Sequence, residues 1–264
     1  PGQKPKIRRA VRALVYLPQP ETVLVYDRII STSADYQKKW LLHTINKPDA
    51  GQAKVLKGEA DNGILESTAR NLSVVNKTGT MNVQALLPEK SRWLLLGGPD
   101  YHFYVETDGD QTDGFDGVNP TQGFNKRCYF DHAEWRAELE PTVPAESDDF
   151  LVAMALGTTE NQPKHKAAIV GRTDHAIACQ IGRTVVLLAH GDAAAKDLEI
   201  TPVEPVTRVV KCILSEPAAI PANAFEPVPP APNASLQLLS APLAADQPTR
   251  ISTTASNDDL PAKS

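Results

Sequence analysis

The sequence has few cysteines, no long apolar run and no excess of basic residues. Its 264 residues include three cysteines without a CxxC pair, which indicates neither a disulfide framework nor a zinc ribbon. No stretch approaches the roughly 18 apolar residues of a transmembrane helix, so we expect no membrane span. The 27 basic and 32 acidic side chains give a formal net charge of -5, which argues against a general nucleic-acid surface.

Motifs of a self-contained catalytic site are also missing. The chain contains no Ser-His-Asp order, no glycine-rich phosphate loop and no metalloprotease helix. The acidic loop at 108–117 lacks the ligand spacing of an EF-hand and is interpreted as a hydrophilic surface loop. The chain begins at Pro1 without a signal peptide, so we expect a piece of a longer protein or a processed chain.

Alternation of apolar and polar residues dominates from residue 9 to about residue 214. Val11, Ala13 and Val15 share one face of an extended chain, and similar short segments follow at regular spacing. The continuous apolar run at 150–156 is typical of a strand covered on both faces. No segment has a convincing 3.6-residue period. The sequence therefore predicts an all-β fold, a large antiparallel β-sandwich of roughly a dozen strands.

The composition changes near residue 215, where proline, alanine and serine become frequent. Proline donates no ladder hydrogen bond, and the sparse apolar side chains do not offset the loss of chain entropy. We therefore predict one sandwich domain over residues 1–214 and a disordered tail or linker over residues 215–264.

Asp27 and His43 interrupt apolar strand patterns. Asp27 follows Val23 and Val25 at period two, so its carboxylate points to the same face as the valines. A buried carboxylate must be paired, hydrogen-bonded or bound to a cation. Imidazole and carboxylate are both ordinary zinc ligands, and neighbouring strands would bring the two side chains together. The alternative is that Asp27 pairs with an arginine and that His43 is a satisfied core histidine.

The arginines available to Asp27 are Arg28 and Arg12, and Arg12 belongs to a basic cluster at the start of the chain. This cluster is interpreted as a solvated strand edge, and a site for a polyanion is the alternative if the substrate is acidic. Its members are Lys4, Lys6, Arg8, Arg9 and Arg12.

Six short segments, in order over about residues 8–190, resemble the C-terminal β-sandwich of the heparinase II/III-like polysaccharide lyases. They read VLVYDRI, KKWLLHT, VQALLPEK, LLLGGPDYHFYV, WRAELEP and DDFLVAMAL. The resemblance implies a bacterial enzyme, periplasmic or secreted, that cleaves an acidic, uronate-containing polysaccharide of the glycosaminoglycan or alginate type by β-elimination. It also implies an N-terminal helical toroid that carries most catalytic residues. The toroid is absent from this sequence, so no catalytic residue is assigned and the chain alone is expected to be inactive.

The same resemblance bears on Asp27 and His43. The family's sandwich commonly holds a structural zinc through two histidines and an aspartate, and these residues resemble two of those three ligands. The third ligand is expected at residues 5–12, which contain no histidine. The implied zinc therefore lacks one identified ligand in this chain.

A carbohydrate-binding or adhesive sandwich without a catalytic partner is the alternative function. Exposed aromatic side chains stack on sugar rings in such modules, although the period-two spacing of Tyr101 and Phe103 also fits a core position. The candidate aromatics are Tyr101, Phe103, Tyr104, Phe115 and Tyr129.

Overall fold

The computed structural model describes residues 5–102, 104–107, 110–116, 133–163, 165–191, 193–195, 198–214, 236–239 and 249–250. These residues form an all-β fold, as predicted, and their helical part is the 3₁₀ turn Ala193–Ala195. No described helix has the length and hydropathy needed to cross a bilayer. The strands are β1 Ile7–Pro18, β2 Glu21–Ser31, β3 Trp40–Thr44, β4 Lys54–Glu59, β5 Asn62–Ser67, β6 Asn71–Asn76, β7 Gly79–Leu87, β8 Ser91–Gly97, β9 Tyr104–Thr107, β10 Asp110–Asp116, β11 Trp135–Pro141, β12 Ser147–Thr158, β13 Ala167–Arg172, β14 Ala176–Ile181, β15 Thr184–His190, β16 Glu199–Ile200, β17 Arg208–Leu214, β18 Leu236–Leu239 and β19 Thr249–Arg250.

The chain divides into two compact units, Pro1–His165 and Lys166–Ser264. The sequence pattern predicted one domain over residues 1–214, because alternation continues through the boundary at residue 165. Alternation carries no information about which strands share a core. Most of the tail predicted at 215–264 lies outside the described residues. Two short segments of it form strands, with β18 paired to β17 and β19 paired to β16.

The first unit is a sandwich of two antiparallel five-stranded sheets. The first sheet has the order β1-β2-β12-β7-β6, and the second has the order β3-β11-β8-β5-β4. One core cluster draws buried side chains from both sheets, including Val25 and Phe150 from the first and Trp93 and Leu139 from the second. Burial of this shared apolar surface is the main force that holds the two sheets together.

Local sequence explains individual strands of the first unit. The turn between β6 and β7 is a two-residue hairpin loop at Lys77 and Thr78, and Lys77 has a positive φ of 55°. The apolar run at 150–156 lies in β12, which is hydrogen-bonded to β2 on one side and β7 on the other. Residues 150–153 are all buried, so both faces of this part of the strand are covered, and this explains why the run is apolar on both faces.

The second unit contains a five-stranded sheet of order β13-β14-β15-β17-β18. The pair β15 and β17 is parallel, whereas the other neighbours in this sheet are antiparallel. Gln180 is only 1% exposed, and its amide donates to the carbonyls of Gly182 and Glu204 while its oxygen accepts from the Val203 amide. These bonds fix the loop at 201–206 against β14.

Candidate functional site

Asp27 is paired with an arginine, one of the alternatives that the sequence left open. Arg12 lies directly opposite Asp27 across β1 and β2. Its Nε and Nη2 donate to the two carboxylate oxygens of Asp27, each at 2.6 Å. The hydrogen bond to Asp27 raises the pKa of Arg12, and burial opposes it only in part. This bidentate pair satisfies a carboxylate that is only 5% exposed.

His43 lies on the other sheet. In β3, Trp40 and Leu42 contact the core, so the alternate residue His43 points to the outer face of the second sheet, where it is exposed. Its cross-strand neighbour on β11 is Arg136. Partial burial and the charge of Arg136 lower the pKa of His43, and the charge of Glu138 opposes this effect. The imidazole is therefore neutral at neutral pH.

The predicted juxtaposition of Asp27 and His43 is wrong. The strands that carry them are not neighbours, because β2 pairs with β1 and β12 whereas β3 pairs with β11. Asp27 points to the core side of the first sheet and His43 away from the core on the second. Within the described residues, no group of three His, Cys, Asp or Glu side chains is placed to hold a metal. The residues present do not fit a shared zinc in this conformation, and zinc binding stays a prediction for metal analysis.

Six charged side chains form an alternating chain along the outer face of the second sheet. Its acidic members Glu138 and Glu140 are 3% and 2% exposed, so each requires a cationic partner. The ion pairs run Arg136–Glu138 at 2.6 Å, Glu138–Lys39 at 2.9 Å, Lys39–Glu140 at 3.1 Å, Glu140–Arg92 at 3.1 Å and Arg92–Glu66 at 2.7 Å. The three positive and three negative charges cancel, and each guanidinium or ammonium is fixed by the carboxylates beside it.

Two members of this chain of charges, Glu140 and Arg92, line a cleft of about 800 Å³ at one end of the sandwich. One wall is the loop that joins β2 to β3, and the other is the loop that joins β11 to β12. We call it the charged cleft, and its lining includes Lys6, Asp35, Tyr36, Lys38, Arg92, Glu140, Thr142, Val143, Ala145 and Asp148.

Lys38 connects the two walls. Its ammonium is almost fully buried and donates to the carbonyl oxygens of Tyr36 at 3.1 Å and Ala145 at 2.6 Å. It also lies 3.3 Å from the Ser31 hydroxyl and 3.1 Å from the Asp148 carboxylate. A buried ammonium with four oxygen partners fixes the positions of both loops, so the cleft is formed before any ligand arrives.

Tyr36 and Lys6 supply the accessible groups of the charged cleft. The Tyr36 side chain is 37% exposed, and the Lys6 ammonium lies 5.5 Å from the centre of its ring. Lys38 and Arg92 form ion pairs with carboxylates, whereas Lys6 has no carboxylate partner among the described residues. The cleft therefore offers an aromatic ring with a lysine ammonium over one of its faces.

Where the structure describes them, the aromatic residues that were candidates for sugar stacking pack against other side chains of the protein. Tyr104 is 1% exposed and packs with Ile64 and Leu94 on the outer face of the second sheet, and Tyr101 packs partly against the same cluster. The side chains of Phe103, Phe115 and Tyr129 lie outside the described residues. Sequence analysis missed Tyr36, although its place just before the KKWLLHT segment could have drawn attention to it.

Comparison with protein-family models found no match to this chain, and comparison with curated proteins found none either.

Proposed function

We propose that this chain is the β-sandwich portion of a polysaccharide lyase that cleaves uronate-containing polysaccharides by β-elimination. The ordered series of six sequence segments motivates the family, and an all-β sandwich is compatible with it. The catalytic helical toroid is not part of the sequence. This chain contributes to substrate binding and orientation in the proposal, and no catalytic residue is assigned to it.

The observation that carries the proposal is the pairing of Tyr36 with Lys6 at the charged cleft. A sugar ring presents C–H groups that pack on an aromatic face, while a uronate carboxylate requires a cation. Lys6 lies 5.5 Å from the ring centre, so one bound uronate residue would contact both groups. Behind them, Lys38 and Arg92 are already paired with carboxylates.

β-Elimination needs three contributions at the reacting sugar. A base removes the C5 proton, a positive or hydrogen-bonding group neutralises the carboxylate, and an acid protonates the departing O4. In the proposal Lys6 holds the carboxylate of a bound uronate residue and Tyr36 orients its ring, and the proton transfers belong to groups outside this chain.

Enzyme assays test whether this chain binds the substrate while groups outside it carry out the proton transfers. The isolated chain is expected to bind alginate or a glycosaminoglycan in a salt-sensitive manner and to form no unsaturated uronate chromophore. The complete protein is expected to form the chromophore. Robust turnover by the isolated chain would contradict the assignment of the proton transfers, and absence of turnover by the complete protein on every uronate polymer would contradict the lyase.

A non-catalytic carbohydrate-binding module is the second candidate, because an exposed tyrosine beside a lysine serves binding without chemistry. The coding sequence upstream of Pro1 separates the two candidates. Several hundred residues with a helical repeat pattern support the lyase, whereas a signal peptide directly before Pro1 supports the binding module.

A further inference from the structure

A second cleft, of about 470 Å³, lies at the opposite end of β2 and β12 from the charged cleft. The start of β2 contributes Glu21 and Thr22 to it, and the end of β12 and the following turn contribute the facing wall. We call it the polar cleft. Its volume is within the range of small-molecule sites.

The lining of the polar cleft contains apolar residues, which we call its floor, and polar residues, which we call its rim. Pro20, Pro163 and Leu156 belong to the floor, and Leu156 is 37% exposed although it is a large aliphatic side chain. Glu21, Asn161, Gln162 and His165 form the rim, and their planar side chains can donate or accept hydrogen bonds.

These four rim side chains are available to a ligand. None of them makes a side-chain hydrogen bond or ion pair with another described residue. This separates the polar cleft from the charged cleft, in which Lys38, Arg92 and Glu140 are already paired.

The turn that carries Asn161 has a fixed backbone. The amide and carbonyl of Thr158 exchange hydrogen bonds with those of Asn161, both at 3.1 Å, and the Thr158 hydroxyl accepts from the Asn161 amide at 3.0 Å. A Cβ on Gly157 would lie 2.7 Å from the Asn161 carbonyl oxygen and 2.8 Å from Pro163, so only glycine lets the turn fold back this closely. These bonds therefore hold the backbone of the turn from which the side-chain amides of Asn161 and Gln162 project.

We propose that the polar cleft binds a neutral saccharide. Planar amide and carboxylate groups match pairs of adjacent sugar hydroxyls, because one side chain can donate to or accept from both, and the apolar floor suits the C–H face of a sugar ring. One carboxylate and one imidazole are too few to hold a metal ion, and the Glu21 carboxylate opposes an anion. This site is independent of the proposed lyase function, since it uses different residues at the other end of the strands.

Titration of the isotope-labelled chain with neutral β-1,4-linked tetrasaccharides of glucose, mannose and xylose tests the proposal by NMR. Amide signals of 157–163 and of Glu21 and Thr22 are expected to shift with at least one of them, while the signal of Tyr36 stays in place. Binding of acidic polysaccharide at the charged cleft is measured in parallel, so that failure of one site is distinguished from failure of the other.

The variants Glu21→Ala and Asn161→Ala are expected to weaken this binding about fivefold or more each, since each removes a hydrogen-bonding side chain. Glu160→Ala is the matched control, because Glu160 is exposed on the same turn but does not line the cleft. Absence of shifts with all three sugars at millimolar concentrations, or equal weakening by the control, would overturn the proposal.

Discussion

The two clefts of the first unit contain similar polar residue types used in opposite ways. In the charged cleft Lys38, Arg92 and Glu140 neutralise one another, and the accessible groups are Tyr36 and Lys6. In the polar cleft the rim side chains have no partner among the described residues, and the rigid part is backbone. Buried charges thus fix the shape of one site, whereas hydrogen bonds of a turn fix the shape of the other.

The same two strands carry both clefts. The eleven residues of β2 rise by roughly 35 Å, so the clefts are separated by about that distance along one sheet. Substitutions at one cleft are therefore expected to leave the other unaffected, since effects of distant sites add independently.

Substitution of Lys38 is expected to have the largest effect on stability. Lys38→Met leaves the Asp148 carboxylate, which is 9% exposed, without its cation, and removal of one partner of a buried ion pair costs about 3–5 kcal/mol. The free energy of unfolding from urea denaturation should fall by that order, and binding of acidic polysaccharide should weaken.

Lys54→Met is the matched control for that substitution, because Lys54 is exposed on β4. It should change stability by less than about 0.5 kcal/mol. Equal stability of both variants would show that Lys38 does not fix the charged cleft.

Asp27 is expected to stabilise the fold through its ion pair with Arg12. Asp27→Ala removes both hydrogen bonds of the pair, and we expect a loss of about 1–2 kcal/mol, which is moderated because the Arg12 side chain is 59% exposed. A chelator should leave the stability of the unsubstituted chain unchanged, since Arg12 occupies both carboxylate oxygens. Stoichiometric zinc in elemental analysis, lost in the variant, would instead assign Asp27 to a metal.

A smaller effect is expected at the accessible surface of the charged cleft. Tyr36→Ala and Lys6→Met should each weaken binding of acidic polysaccharide about two- to fivefold with little change in stability, because contacts at exposed sites contribute about 0.5–1 kcal/mol. Calorimetric titration measures the effect. Unchanged affinity in the double variant would place the acidic ligand elsewhere.

The smallest effect concerns His43 at the end of the charged chain. Its folded pKa is lowered below the ordinary value of 6.5, first by burial and then by Arg136. The unfolded state then binds more protons than the folded state. The contribution of His43 to the free energy of unfolding is therefore fully present above the unfolded pKa and decreases as the pH falls through 6.5 toward the folded value. Arg136→Gln should raise the pKa of His43 and Glu138→Gln should lower it, as proton NMR of the imidazole would measure. A pKa that neither substitution moves would contradict this origin.

The strands and their buried positions were predictable because the period-two alternation is a local property of the sequence. Ala13 and Val15, for example, are buried as the alternation of β1 indicates. One neighbour of β2, the strand β12, was not predictable, since it lies more than one hundred residues further along the chain and alternation does not specify a partner. For that reason Asp27 and His43 were expected together and lie on different sheets.

The charged cleft was also not predictable from local sequence patterns. Lysine is almost never fully buried without a partner, so a sequence pattern gives no signal for Lys38 until the loop at 142–146 is placed beside it. The alternation of Arg136, Glu138 and Glu140 with Trp135, Ala137 and Leu139 is typical of a strand with one charged face. It did not indicate that this face is buried and internally neutral.

The distribution of tryptophan and cysteine gives each unit its own optical or chemical reporter. Trp40, Trp93 and Trp135 all belong to the core of the first unit, so intrinsic fluorescence reports on the unfolding of that unit. Cys179 and Cys212 are buried in the second unit, and burial raises the pKa of Cys179 to about 12, so their reaction with a thiol reagent requires opening of that sheet. In a Cys128→Ser background the two signals would separate the stabilities of the units in one sample.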